Sequence, residues 1–165
     1  MLTDSPELIR LCEALAQALK SRGWMMATAE SCTGGLIAAC CTSLSGSSDW
    51  FERGFVTYSN AAKTELLGVP AELITAHGAV SEPVARAMAL GAVAHSQAQA
   101  SLAVTGVAGP TGGSQDKPVG TVWFGWVIQG QAWTERLCFD GDRDAVRAAT
   151  VGHALRGLLG RLTES

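Results

Sequence analysis

Residues 24–29 form a short apolar run that stops at Glu30-Ser31-Cys32-Thr33-Gly34-Gly35. A stretch rich in small side chains follows from Thr33 to Cys41. A short apolar run closed by a glycine turn reads as a strand, and the small-residue stretch reads as a helix able to pack closely on a sheet. Strand, tight turn, helix is the unit from which layered α/β domains are built. It also places a hydroxyl where backbone N–H groups converge, a position that suits an anion or a nucleophile.

The rest of the chain repeats the alternation. Ser5-Pro6-Glu7 starts a helix, with serine as cap and proline at the first helical position. Leu8, Cys12, Leu15 and Leu19 share one face of it, and Gly23 ends it. Residues 43–49 form a polar, serine-rich loop, and Phe55-Val56-Thr57-Tyr58 is β-prone. Ser59 caps a helix running through Lys63 to Leu67, which Gly68-Val69-Pro70 breaks. A short helix over 70–76 and a longer one opening at Ser81-Glu82-Pro83 come next. Residues 100–105 read as a strand that runs into a glycine-rich loop, Gly106 to Gly113. Residues 119–128 and 132–139 flank the turn Gln129-Gly130-Gln131 as a hairpin. A final helix has Asp142 and Asp144 in its first turn. The pattern predicts one layered α/β domain over 1–165, with a mixed β-sheet covered by helices, a C-terminal β-hairpin and a final helix. Strand order does not follow from it.

Composition narrows the function. A chain of 165 residues buries roughly 70% of its extended surface, so a core needs neither metal nor disulfide. Net charge is −3, and the lysines and arginines are scattered, which speaks against a nucleic-acid partner. No run approaches eighteen apolar residues, and no basic start precedes an apolar run, so neither a membrane span nor a signal peptide is expected. Five cysteines at irregular spacing are expected as buried or structural thiols rather than a disulfide framework, and a cytoplasmic location is the default. Only 16% of residues are charged, which leaves apolar surface for a partner chain.

Several residues invite chemistry. Ser31 is either a helix cap or a nucleophile, since the Gly-x-Ser-x-Gly elbow is absent and a serine–lysine pair need not be local. Thr33 and the Gly34-Gly35 backbone offer N–H groups to a developing oxyanion. Lys63 is either a solvated helix lysine or a general base whose pKa is lowered by burial. Tyr58, the chain's single tyrosine, orients Lys63 or packs in a core. Thr105, Gly106, Gly109 and Gly113 sit on the loop after a strand, a common ligand position. Lys117 flanks that loop, where an exposed position is the stronger reading. Arg143 and Arg147 share a helix face and either bind phosphate or pair with Asp140, Asp142 and Asp144. The three histidines show no metal-ligand spacing.

Seven ordered strings then carry a resemblance. They are Ala29 to Gly35, Gly46 to Phe51, Gly54 to Asn60, His77 to Ser81, Thr105 to Pro110, Lys117 to Val122 and Phe139 to Arg143. Together they resemble the C-terminal domain of the CinA family in its stand-alone form, over almost the entire chain. The resemblance implies hydrolysis of the carboxamide of nicotinamide mononucleotide to the nicotinate form and ammonia, without cofactor or metal. It implies Ser31 as nucleophile, Lys63 as base and Tyr58 assisting. It implies nucleotide contacts from the glycine loop and the final helix, with Thr33, Gly34, Gly35, Asn60, Thr105, Gly106, Gly109, Arg143 and Arg147 as candidate substrate-binding residues. It points to a homodimer. Two other readings compete: a nucleotide-binding module without turnover, and a hydrolase of another amide-bearing nucleotide.

Overall fold

The structure is a computed structural model and describes residues 1–164. The first half of the chain gives α1 (Pro6–Lys20), β1 (Met26–Glu30), α2 (Leu36–Thr42), β2 (Phe51–Val56) and α3 (Asn60–Leu67). The second half gives α4 (Ala71–His77), α5 (Glu82–Ala94), β3 (Ala100–Gly106), β4 (Thr121–Ile128), β5 (Gln131–Cys138) and α6 (Arg143–Glu164). The strands form one mixed sheet in the order β2-β1-β3-β4-β5. β1 is parallel to both neighbours, while β3, β4 and β5 run antiparallel.

Local chemistry explains most boundaries. The Ser5 hydroxyl accepts from the Leu8 amide with Pro6 at the first helical position, and the Ser59 hydroxyl accepts from the Ala62 amide. The hairpin closes at Gln129-Gly130, both at positive φ (50° and 83°), the twist that suits a two-residue connection. Two boundaries differ from the sequence expectation. α2 begins at Leu36 rather than Thr33, because Gly34 (φ 58°) and Gly35 (φ 106°) turn the chain left-handed first. β2 starts at Phe51 and ends at Val56, so Thr57 and Tyr58 lie beyond the strand.

Helices cover both faces of the sheet. On one face α1, α2 and α6 bury Leu15, Leu19, Ile37, Leu155 and Leu158 against Met26, Leu102, Phe124 and Trp126. On the other, α3, α4 and α5 bury Leu67, Ile74, Val84 and Met88 against Ala27, Ala29, Ala103 and Val127. The strand period of two sorts β3 between them, with Leu102 and Val104 on one side and Ala103 on the other. Trp126 anchors the first layer: its ring stacks on Phe124 with centroids 5.6 Å apart, and its Nε1 donates to the Ala154 carbonyl at 3.0 Å. Small residues set the second layer close. At Gly125 of β4 a Cβ would sit 2.6 Å from the Ala85 carbonyl oxygen of α5.

The cysteine expectation holds for four residues. Cys12, Cys32, Cys40 and Cys41 are buried and unpaired, but Cys138 is exposed, because it ends an edge strand.

Candidate active site

The chain leaves β1 through α2 on one face to reach β2, then crosses by α3, α4 and α5 on the other face to reach β3. β1 is therefore the point where connections diverge to opposite faces. The crevice outside the carboxyl end of such a strand is the usual ligand position in open α/β sheets. Ser31 is the first residue past that end, and its amide donates to the Val104 carbonyl of β3 at 3.1 Å. It does not cap α2, whose N-cap position is Gly35.

Lys63 reaches the same point from α3. Lys63 and Leu67, one turn apart, form the buried face of that helix. Leu67 packs into the core while the Lys63 ammonium, 1% exposed, extends to Ser31. Its Nζ donates to Ser31 Oγ at 3.1 Å, to the Thr57 carbonyl at 3.0 Å and to the Tyr58 carbonyl at 3.4 Å. No carboxylate pairs with it among the described residues. Burial disfavours the charged form and lowers the Lys63 pKa below the ordinary 10.5. An amine so placed can be neutral at lower pH than a surface lysine, which a proton acceptor requires.

The Tyr58 ring stands at the rim, 62% exposed. Its contact with Lys63 runs through the backbone carbonyl, while its hydroxyl accepts from Arg143 at 3.2 Å. Arg143 also donates to the Gly109 carbonyl at 2.9 Å, so one side chain ties the glycine loop to the rim. Arg147, one turn further along α6, donates to the Cys32 carbonyl at 3.1 Å and to the Thr33 carbonyl at 3.2 Å. Neither arginine pairs with Asp140, Asp142 or Asp144; Asp142 instead accepts from the Ala145 amide at the start of α6.

The cleft over Ser31 holds about 220 Å³. Of the candidate residues, Ser31, Tyr58, Asn60, Lys63, Thr105, Gly106 and Arg143 line it. The Thr105 hydroxyl is already committed to the Ala79 carbonyl at 2.9 Å, and Cys32, Ala79, Val80 and Ala108 complete the wall. Thr33, Gly34, Gly35, Gly109 and Arg147 shape the turn and loops around the cleft without lining it. A second cleft of about 450 Å³ adjoins it, sharing Ala108 and Arg143 and reaching Asp142 and Asp144. Lys117 lies elsewhere, donating to the His77 carbonyl at 2.7 Å. No group of three or more His, Cys, Asp or Glu side chains among the described residues could hold a metal ion. No described helix is long and apolar enough to cross a membrane.

Sequence reading missed Glu30. It ends β1, is 1% exposed, and accepts from Thr33 Oγ1 at 2.5 Å, the Ile37 amide at 2.9 Å and the Ala38 amide at 3.0 Å. The one sequence signal was an acidic residue at the end of an otherwise apolar strand.

Fold and site define a three-layer α/β domain with a buried serine–lysine pair at the divergence point of its parallel strands. The chain belongs to the CinA C-terminal domain family, which matches residues 9–162. It is 54% identical over 158 residues to the nicotinamide-nucleotide amidohydrolase PncC of Escherichia coli K12, covering 95% of both chains. It is 54% identical over 154 residues to the protein of that name from Pseudomonas putida, covering 93% of this chain and 96% of the relative. A putative competence-damage inducible protein of Symbiobacterium thermophilum is 52% identical, but this chain spans 39% of it. Among solved structures, a competence/damage inducible protein from Agrobacterium tumefaciens superposes with TM-score 0.92 at 43% identity, covering 96% of this chain and 97% of that one.

Proposed function

We propose that this protein is an amidohydrolase that converts nicotinamide mononucleotide and water to nicotinate mononucleotide and ammonia. The observation that carries the reading is the 3.1 Å contact between a buried lysine amine and the Ser31 hydroxyl at the carboxyl end of β1. The name and high identity of the near full-length relatives supply the substrate.

The chemistry follows from the geometry. Neutral Lys63 takes the Ser31 proton as Oγ attacks the carboxamide carbon. The turn amides after Ser31 are the donors for the developing oxyanion. Protonated Lys63, steadied by the Thr57 and Tyr58 carbonyls, gives its proton to departing ammonia. Water then resolves the acyl-enzyme by the same route. The substrate's pyridinium withdraws electrons and makes its carboxamide easier to attack. Tyr58 assists by its carbonyl on Lys63 and by its ring at the rim. Asn60, Thr105, Gly106 and Arg143 line the cleft that would receive the substrate. Thr33, Gly34, Gly35, Gly109 and Arg147 support the ligand through the backbone they shape.

A phosphorylated substrate does not cross hydrocarbon unaided, so the same reading places the enzyme in the cytoplasm. A homodimer fits the apolar side chains left exposed at Val56 (48%) and Leu66 (46%). Sedimentation tests that assignment, and a monomer at assay concentration rejects it.

Incubation with nicotinamide mononucleotide, with ammonia and acid product measured together, tests the activity. The wild-type protein releases both in equal amounts. Ser31→Ala loses roughly 10⁴-fold or more of kcat with an unchanged fold. A Ser31→Ala protein near wild-type turnover rejects the nucleophile, and ligand binding without ammonia release favours the non-catalytic module.

A further inference from the structure

The Glu30 carboxylate enters none of these steps, yet it lies one residue before the nucleophile in a buried site. A buried carboxylate is costly unless its lone pairs are met. Here Oε1 takes the Thr33 hydroxyl and the Ile37 amide, and Oε2 takes the Ala38 amide. The hydroxyl belongs to the turn after Ser31, and both amides lie in the open first turn of α2. Gly35, at the N-cap position, has no side chain to serve them. One charged group therefore joins the strand end, the nucleophile turn and the following helix.

The turn is held through its carbonyls as well. Arg147 takes the Cys32 and Thr33 carbonyls, and the Gly34 amide donates to the Ser31 carbonyl at 3.1 Å. In a trans peptide the C=O and the next N–H point opposite ways. Fixing three successive carbonyls thus fixes the directions of the Cys32 and Thr33 N–H groups, the first two donors after the nucleophile.

We infer that Glu30 is a positioning residue for the reaction: together with Arg147, its carboxylate holds the Ser31 turn so that Oγ faces Lys63 and the turn amides face the oxyanion. This rests on Ser31 being the nucleophile. Displacing reacting atoms by about an ångström costs on the order of a hundredfold in rate. Glutamine at this position keeps the shape but loses one acceptor and turns an NH₂ toward a donor. Glu30→Gln therefore shifts the turn without removing any side chain that lines the cleft.

The test is the rate at which a fluorophosphonate labels Ser31, followed by intact mass, alongside kcat, KM and Tm. The variants are wild type, Glu30→Gln, Thr33→Val and Ser31→Ala. Expected are a fall of about 10- to 100-fold in labelling rate and kcat for Glu30→Gln, with KM within about threefold. Thr33→Val removes one donor, keeps the carboxylate, and falls severalfold; it decides the matter where Glu30→Gln does not fold. A purely structural Glu30 would lower Tm and leave the rate per folded molecule unchanged. Either folded variant labelling at the wild-type rate overturns the inference. A wild-type protein that is labelled at Ser31 but releases no ammonia from nicotinamide mononucleotide rejects the substrate alone, and the labelling comparison still decides the role of Glu30.

Discussion

Lys63 is a buried amine whose neighbours are a hydroxyl and two carbonyls, and its behaviour with pH follows from that. Because burial lowers its pKa, kcat/KM rises with pH along an acid limb and levels off below 10.5, the ordinary lysine value. The stability sign is the reverse of that of a salt-bridged lysine, whose pKa is raised. Below the folded pKa the full cost of a buried ammonium is present. Between that value and 10.5 the unfolded chain holds the extra proton, so stability rises with pH. Lys63→Met removes this slope, which denaturation at several pH values checks, and it lowers kcat by about 10²- to 10⁴-fold. Lys63→Arg keeps a cation that never becomes a base and loses the same activity. Cys32, the adjacent thiol, is no substitute nucleophile: burial pushes its pKa to about 11. Native protein treated with a thiol reagent at neutral pH modifies one cysteine per chain quickly, exposed Cys138, and retains its turnover. The serine and the lysine were legible one by one, each beside a duller alternative. Their contact was not, because 32 residues separate them and only the crossover to α3 closes that gap. Arg147 shows the opposite limit. Its helix and register were legible, but its partners are backbone carbonyls, which carry no side-chain signature.

At the scale of elements, α3 matters because it delivers Lys63, and α5 sets where α3 lies. Gly91 of α5 faces the Leu67 carbonyl so closely that a Cβ there would overlap the oxygen. Gly91→Ala must push α3 outward and drag Lys63 away from Ser31. Overpacking of this kind costs about 1–3 kcal/mol, read by urea denaturation, and here it also lowers kcat per folded molecule. Unchanged kcat in a destabilised Gly91→Ala protein would show that α3 keeps its place without this close approach. The elements themselves were readable where local chemistry makes them: Ser5-Pro6 and Ser59 cap as the sequence predicts. α2 was misread by three residues because its amides are served by Glu30, seven and eight positions upstream of its partners. A cap delivered from the preceding strand leaves no Ser-x-x-Glu signature. β2 starts earlier than its β-prone residues because Glu52, Arg53 and Gly54 stand together between Phe51 and Phe55-Val56, a polar break that an edge strand tolerates.

In the whole molecule the sheet divides the labour. The parallel β1 and β2 present Ser31 and the crossover that brings Lys63, while β3 and β4 supply the hydrophobic floor on which α6 lies. Strand order was beyond the sequence, since the alternation of elements fixes neighbours in the chain and not in the sheet. α6 spans both roles. Its start holds Arg143 and Arg147 on the site, and its middle crosses Trp126 at Gly157, where a Cβ would overlap the indole. Gly157→Ala is therefore a clash as tight as Gly91→Ala, against a ring wedged on Phe124 and hydrogen-bonded to Ala154. It too costs about 1–3 kcal/mol. The two differ in where the strain goes. Ten residues of helix, about 15 Å, separate Gly157 from Arg147, and four hydrogen bonds to Gly109, Tyr58, Cys32 and Thr33 pin the near end. Gly157→Ala accordingly lowers Tm but keeps kcat and KM per folded molecule within about twofold, while Gly91→Ala loses both stability and turnover. Equal loss of turnover in the two variants would mean that the layers do not bear strain separately, and that the site depends on the packing of the entire domain.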